Sequence, residues 1–218
     1  MRVVCIGDTH ERHRDLHVPG GDLLIHAGDF TTLGNGKRAI IDFNDWLGEL
    51  PHPHKVITHG NHEFDLEADP NLRGLITHAT LLLNEWVMVG PAKIWGSALT
   101  QHYDGAFGRS NREDRVRAYN SIPPETDIVI THGPPYGVLD STPEYPGPSG
   151  DRELRQAILR VKPVLHAFGH THGGYGVLET RRTCYVNAAL CDLDGSVHKR
   201  PIVLEIGRFK AHHGGGAS

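Results

Sequence analysis

Long apolar runs are missing from these 218 residues. The longest, such as Asp22-Leu-Leu-Ile and Ala79-Thr-Leu-Leu-Leu, last a few positions, whereas a membrane-spanning helix needs roughly 20. The start, Met1-Arg-Val-Val-Cys-Ile-Gly-Asp, turns polar at once, so no signal peptide is expected. Cysteine is scarce: Cys5, Cys184 and Cys191 cannot close a disulfide set and show no CxxC spacing. That usage points to a reducing cytoplasm. Basic charge is not in excess either, with 22 Lys and Arg against 26 Asp and Glu. A protein whose main affinity is for nucleic-acid backbones is therefore disfavoured. HExxH, a Walker-type glycine loop and a GxSxG elbow are all absent.

Histidine, by contrast, is abundant, at 17 positions. It is the commonest metal ligand and a proton shuttle near neutral pH. A count alone does not separate that chemistry from a histidine-rich surface; the positions do.

At this length one domain is expected, over residues 1–209, followed by a loose tail over 210–218 that holds His212, His213 and three glycines. Short β-rich runs end in small-residue turns at Arg2–Gly7, Asp22–Gly28, Lys55–Gly60, Asp127–Gly133 and Val164–Gly169. Helical spacing of Ala39, Ile40, Phe43, Trp46, Leu47 and Leu50 predicts a helix over Lys37–Leu50, closed by Pro51. Arg112–Asn120 and Asp151–Val161 are further helices, and strands are expected in Glu85–Ser97, Gly174–Leu178, Thr183–Ala188 and Pro201–Ile206. The sum is a layered α/β domain with a mixed sheet. Two long loops, Ala98–Asn111 and Gly133–Gly150, read as binding walls or as surface variation.

The five strand ends carry the chemistry. They read Gly7-Asp8-Thr9-His10, Ala27-Gly28-Asp29, Gly60-Asn61-His62-Glu63, Thr131-His132-Gly133 and Gly169-His170-Thr171-His172. Ligands of parallel α/β sheets bind outside the carboxyl ends of the strands. Asp with His suits Mn, Fe or Zn better than Ca, which takes oxygen alone. Alternate residues of an extended strand share one side, so Asp8-x-His10 and His170-x-His172 can each present two ligands.

The set DxH, GD, GNHE, H and GHxH, in this order across most of the chain, resembles the calcineurin-like metallophosphoesterases. The nearer likeness is to the small metallophosphoesterase-domain proteins (the MPPED branch), with bacterial class III cyclic-nucleotide phosphodiesterases close by. Gly28-Asp-Phe-Thr, Thr131-His-Gly-Pro-Pro, Phe168-Gly-His-Thr-His-Gly-Gly-Tyr-Gly and Tyr185-Val-Asn-Ala carry it.

That resemblance implies mixed β-sheets sandwiched between helices, α/β/β/α, and two divalent metal ions, Mn favoured over Fe or Zn. It implies that Asp8, His10, Asp29 and His172 hold one ion, and that Asp29, Asn61, His132 and His170 hold the other, Asp29 bridging. A hydroxide between the ions would attack phosphorus in line, and His62 would serve the leaving oxygen as proton donor. The implied activity is a phosphodiesterase acting on 2′,3′- or 3′,5′-cyclic nucleotides or similar small diesters. A nuclease or DNA-repair phosphoesterase, a phosphomonoesterase, and a metal- or nucleotide-binding scaffold are the competing readings. One departure stands out. Where many protein-phosphatase relatives read GDxxD, Thr32 replaces the second Asp, so His62 needs another partner, Glu63 or Asp65, or works without one.

Weaker expectations concern other residues. His26 and His59 would pack on the sheet's far face, Cys5 in the core, and Asn187 beside the metal ligands. His102 and Tyr103 could touch substrate, and Arg109 or Arg112 could meet a phosphate.

Overall fold

Alternation of side chains along the first strand already prescribes two layers of packing. In β1 (Arg2–Ile6), Val3 and Cys5 face one core while Val4 and Ile6 face another. A computed structural model describes residues 1–32, 36–101, 105–142, 146–192, 195–207 and 209–210. The strands form two mixed sheets.

The first sheet takes the order β11-β1-β2-β3-β4, where β2 is Leu23–His26, β3 is His54–Ile57, β4 is Thr80–Leu81 and β11 is Ile202–Glu205. Here β1, β2, β3 and β4 run parallel, with Val3 opposite Leu23 and Leu24 opposite Lys55, and β11 pairs antiparallel on the far edge. The second takes the order β5-β6-β7-β8-β10-β9. Its members are β5 (Glu85–Val89), β6 (Ala92–Ser97), β7 (Ile128–Thr131), β8 (Leu165–Phe168), β9 (Gly176–Glu179) and β10 (Cys184–Asn187). Strands β6, β7, β8 and β10 are parallel, flanked by antiparallel β5 and β9.

Val3, Cys5, Ile25 and Val56 of the first sheet pack against Ile94, Ile130, Ala167 and Val186 of the second. Helix α1 (Gly36–Glu49) buries Ile40, Phe43, Trp46 and Leu47 on the outer face of the first sheet. Helices α3 (Arg112–Asn120) and α4 (Arg152–Val161) cover the outer face of the second, against Trp95, Val129 and Phe168. The layers are helix, sheet, sheet, helix, as expected. Asn111 and Asp151 cap α3 and α4 by accepting hydrogen bonds from Glu113 N (2.8 Å) and Glu153 N (2.7 Å). Left-handed Lys162 (φ 54°) and Pro163 close α4.

Two short pieces carry no periodicity and escaped the sequence reading: α2 (Phe64–Ala68), with the 3₁₀ turn Pro70–Leu75, and the two-residue β4. They are held by burial of Leu66 and Ile76 rather than by propensity. Gly174 belongs to a 3₁₀ turn over His172–Gly174, and the strand starts at Gly176. Lys210, the first residue of the expected tail, is anchored: its backbone N–H donates to Asp127 Oδ1 at 2.6 Å and its ammonium to Val161 O at 2.7 Å. Residues 211–218 lie outside the described residues. No helix among the described residues is long and apolar enough to cross a membrane. All three cysteines are free, and Cys5 is a core residue.

The two sheets meet at the carboxyl ends of their parallel strands. Gly7, just past β1, bridges to Ala189, just past β10, and Leu190 N donates to Gly7 O at 3.1 Å. That junction brings the turns after β1, β2 and β3 against those after β7 and β8.

Candidate metal centre

The turns at this junction are tight. Asp8, His10, Asp29 and His170 sit at φ of 50°, 42°, 55° and 66°, a left-handed region that non-glycine residues rarely occupy outside functional sites. Close approach demands glycine beside them: a Cβ on Gly60 would overlap Asp29 and His132, and one on Gly169 would overlap the Asp8 carboxylate.

All seven residues expected as ligands converge here. Asp29 Oδ2 lies 3.3 Å from His132 Nε2 and 4.0 Å from His10 Nε2. Asn61 Oδ1 lies 2.8 Å from both His132 Nε2 and His170 Nδ1. His172 Nε2 lies 3.5 Å from Asp8 Oδ1 and 3.4 Å from His10 Nε2. The donor atoms fall into two groups, Asp8–His10–His172 and Asp29–His132–His170, each within the span of one metal ion. His10–Asp29–His62 is a third group, so the His62 ring reaches the same centre. Asp29 touches both sides.

The donors fit divalent cations on two further grounds. Asp8 Oδ2 is buried and has no hydrogen-bond partner, which is costly unless a cation meets it. Backbone carbonyls also set the imidazoles: His10 Nδ1 lies 3.2 Å from Thr31 O, and His132 Nδ1 lies 2.9 Å from Ala27 O. An N–H donated from Nδ1 leaves Nε2 to face the carboxylates, the usual arrangement behind a metal-bound histidine.

Charge at the centre is balanced between acids and imidazoles. Burial alone would raise the carboxyl of Asp29, but His132, then His10 and His62, hold it below the ordinary carboxylate range. For His132 burial opposes the charged form, yet Asp29 and Asp8 outweigh it and lift the pKa to about 9. Burial, helped by charged His132, pushes His170 down to about 4. A site that holds a proton this firmly takes up a cation by releasing it.

Glu63 locks two of the turns together. Its buried carboxylate accepts from Gly60 N (2.5 Å), Asp29 N (3.0 Å), Thr31 N (2.9 Å) and the Thr31 hydroxyl (2.9 Å). Burial, then the like charge of Asp29, raises its pKa to about 7 against the pull of those donors. Glu63 is thus spent on the turns and is not the partner of His62. The His62 backbone N–H donates to Asp29 Oδ1 at 2.9 Å, its Nε2 stands 3.9 Å from Asp29 Oδ2, and its buried Nδ1 has no partner. Asp65 therefore does not hold it either. Burial lowers the His62 pKa, partly offset by Asp29. Thr32, at the departure from GDxxD, bonds through its hydroxyl to Glu11.

His26 packs on Phe43 (centroids 5.1 Å apart) on the outer face of the first sheet, as expected, but also braces the site. Gly28 N–H donates to its Nδ1 at 3.2 Å, so Nε2 carries the proton and donates to the Thr9 hydroxyl at 3.0 Å. His59 stacks on Phe107 at 5.1 Å. Asn187 donates to Thr171 O (2.9 Å) and Leu139 O (3.0 Å), fixing the His170–His172 turn.

Arg109 and Arg112 correct the expectation for them. Each is an exposed partner of a carboxylate, Glu67 and Glu153, and neither lines the cavity beside the centre. His102 and Tyr103 lie outside the described residues. The sequence reading missed Lys199, whose ammonium donates to His172 O at 2.7 Å and faces Asp192 at 2.8 Å. It also missed His166, hydrogen-bonded to Thr131 Oγ1 at 2.9 Å. Neither sits in a motif that would reveal it. A cavity of about 320 Å³ opens from His170 and His172 between residues 99–101, 133–134 and 149–151.

Comparison with known proteins places this geometry. The model of the calcineurin-like phosphoesterase family matches residues 1–174. Metallophosphoesterase domain-containing protein 1 of Homo sapiens is 38% identical over 231 residues, covering 94% of this chain and 71% of that protein. A UPF0046 protein of Caenorhabditis elegans is 36% identical over 222 residues, covering 94% of this chain and 75% of that one. Among solved structures, TT1561 of Thermus thermophilus superposes with a TM-score of 0.56 at 14% identity, covering 87% of this chain and 90% of its own. That last likeness concerns the fold alone.

Proposed function

Since the chain belongs to the calcineurin-like phosphoesterase family, we propose that it is a dinuclear-metal phosphodiesterase of the cytoplasm acting on small nucleotide diesters, 2′,3′- or 3′,5′-cyclic nucleotides foremost. The observation that carries this reading is Asp29, whose carboxylate groups with His132 and His170 on one side and with His10 and His62 on the other. In this reading Asp8, His10, Asp29 and His172 hold one divalent ion and Asp29, Asn61, His132 and His170 the second. Two such ions, manganese by preference, supply Lewis acidity and an activated water when bound.

The chain's own residues do the rest. Asp29 Oδ1 anchors the His62 backbone N–H, which sets the imidazole at the mouth of the site. Burial depresses the His62 pKa and Asp29 partly restores it; whenever the ring carries a proton, that lowered pKa makes it the stronger acid towards a departing oxygen. The absence of a hydrogen-bond partner at Nδ1 leaves the ring oriented by its backbone and by the neighbouring His10 ring, 4.6 Å away.

The test is a panel assay of purified protein with Mn²⁺: 2′,3′- and 3′,5′-cyclic nucleotides, an aryl diester, an aryl monoester and a short DNA. Hydrolysis of the diesters alone is the expected outcome. Cleavage of DNA, of the monoester alone, or of nothing overturns it in favour of a nuclease, a monoesterase or a scaffold respectively.

A further inference from the structure

Among the four imidazoles expected as ligands, His172 is held differently from the rest. Nδ1 of His10, His132 and His170 lies within hydrogen-bond distance of Thr31 O, Ala27 O and Asn61 Oδ1 respectively. Nδ1 of His172 is buried and has no hydrogen-bond partner among the described residues. With no bond behind the ring, its direction depends on where the backbone holds it. His172 opens a 3₁₀ turn, and its carbonyl accepts a hydrogen bond from Lys199 Nζ at 2.7 Å. The same ammonium donates to Cys191 O at 3.2 Å and faces Asp192 Oδ1 at 2.8 Å. An ammonium has three N–H donors, and here each meets an acceptor. The Lys199 side chain is only 16% exposed and lies 5.7 Å from the ring centroid of Tyr175.

The segment that Lys199 grips is itself bonded to another ligand. Cys191 N donates to Asp8 O at 3.3 Å, and the Cys191 thiol lies 3.5 Å from Thr9 O. Lys199 therefore ties the turn that bears His172 to the segment that backs Asp8. Those two residues belong to one group of ligand atoms, Asp8–His10–His172, although they stand far apart in the chain. Charge alone would argue the other way. A lysine beside a cation site repels the cation, even with Asp192 to answer it. Position and charge thus predict opposite signs when the ammonium is removed.

We propose that Lys199 is the positioning residue of His172: its ammonium, acting through the His172 carbonyl, sets the imidazole against Asp8 and so tightens the hold of Asp8, His10 and His172 on their metal ion. The inference rests on the two-ion part of the proposed function and on no choice of substrate. Ligand orientation is the lever, so the effect belongs to one ion and not to both.

Equilibrium dialysis of the full-length protein against graded Mn²⁺ tests this, with bound metal counted by mass spectrometry and the spin-coupled ion pair followed by EPR. Lys199→Met keeps the length of the side chain and removes its donors and charge. It should raise one of the two Mn²⁺ dissociation constants about 10-fold and leave the other within about twofold. Lys199→Gln, which keeps a neutral donor, should show the same selectivity, and it decides the matter if the Met variant does not fold. In a His172→Ala background, Lys199→Met should change neither constant further, because the imidazole it acts through is gone. Unchanged constants, tighter binding, or a parallel weakening of both ions with a lower urea midpoint overturns the proposal and leaves the dinuclear reading intact. An equal loss in the His172→Ala background overturns it as well. Wild-type protein that binds a single ion overturns the dinuclear reading, and the proposal is then decided by whether Lys199→Met weakens that ion.

Discussion

The two sheets meet at one centre but bring different chemistry to it. The first sheet's strand ends supply the oxygen donors, Asp8, Asp29 and Asn61, with His10 as its one imidazole among the expected ligands; the second supplies imidazoles alone, His132, His170 and His172. Neither half would be comfortable by itself. Buried carboxylates side by side repel, and a cluster of buried imidazoles cannot charge. Set face to face, they balance, which is why Asp29 is held low and His132 high.

Beneath this difference lies one shared device. In the first sheet, His26 of β2 bonds the Thr9 hydroxyl beyond the end of β1; in the second, His166 of β8 bonds Thr131 at the end of β7. In both, a buried histidine braces a threonine next to a candidate ligand from the neighbouring parallel strand. Thr131 donates to Gly133 O at 2.8 Å, so His166 donates to Thr131 as His26 does to Thr9. Burial pushes both imidazoles down to about 3, so each stays neutral as this bonding requires.

The sharpest break in the comparison comes from its ligands. Asp29→Ala, in the first sheet, is expected to abolish turnover and lose both metal ions, whereas His132→Ala, in the second, is expected to lose one. Metal content by mass spectrometry decides this, and two ions retained in Asp29→Ala would contradict the shared role. His62→Ala comes next: kcat should fall by ~10²–10⁴ with metal content unchanged. Loss of an ion in that variant would make His62 a ligand instead.

Glu63→Gln tests the clamp on the first sheet's turns. Replacing a carboxyl whose two oxygens serve four donors with an amide that has one acceptor oxygen should cost about 2 kcal/mol, read as a lower urea midpoint, with a smaller fall in kcat. An unchanged midpoint would show that the turns hold without it.

The smallest effect probes the shared device through pH. His26 and His166 have folded pKa values near 3, below the ordinary 6.5, so the unfolded chain takes up protons first as pH falls. Their stability contribution is complete above pH 6.5 and drains away below it, by up to about 1.4 kcal/mol per pH unit for each. Between pH 6.5 and 5, His26→Gln and His166→Gln should each flatten the fall of stability relative to wild type, by similar amounts. A flattening in one sheet only would end the equivalence.

Much of this was legible in the chain itself. The helices α1, α3 and α4 follow from spacing, caps and prolines, with boundaries off by a residue. The strand ends could be picked out because Gly next to Asp, His or Asn is a local pattern. The short α2 and β4 were not, since their placement depends on burial of Leu66 and Ile76 under neighbours far along the chain. Arg109 and Arg112 misled for the same reason: a loop arginine reads as a phosphate contact until Glu67 and Glu153 arrive from other elements.

The sequence by itself therefore determined the kind of chemistry, by setting Asp, Asn and His at the ends of β-rich runs with glycines that let the backbone turn. Only the tertiary structure decided the arrangement. It joined Gly7 to Ala189 so that two sheets face one centre, and assigned Glu63 to the turns rather than to His62. Those outcomes depend on contacts between residues tens to hundreds of positions apart, and such contacts exist only once the two sheets have packed.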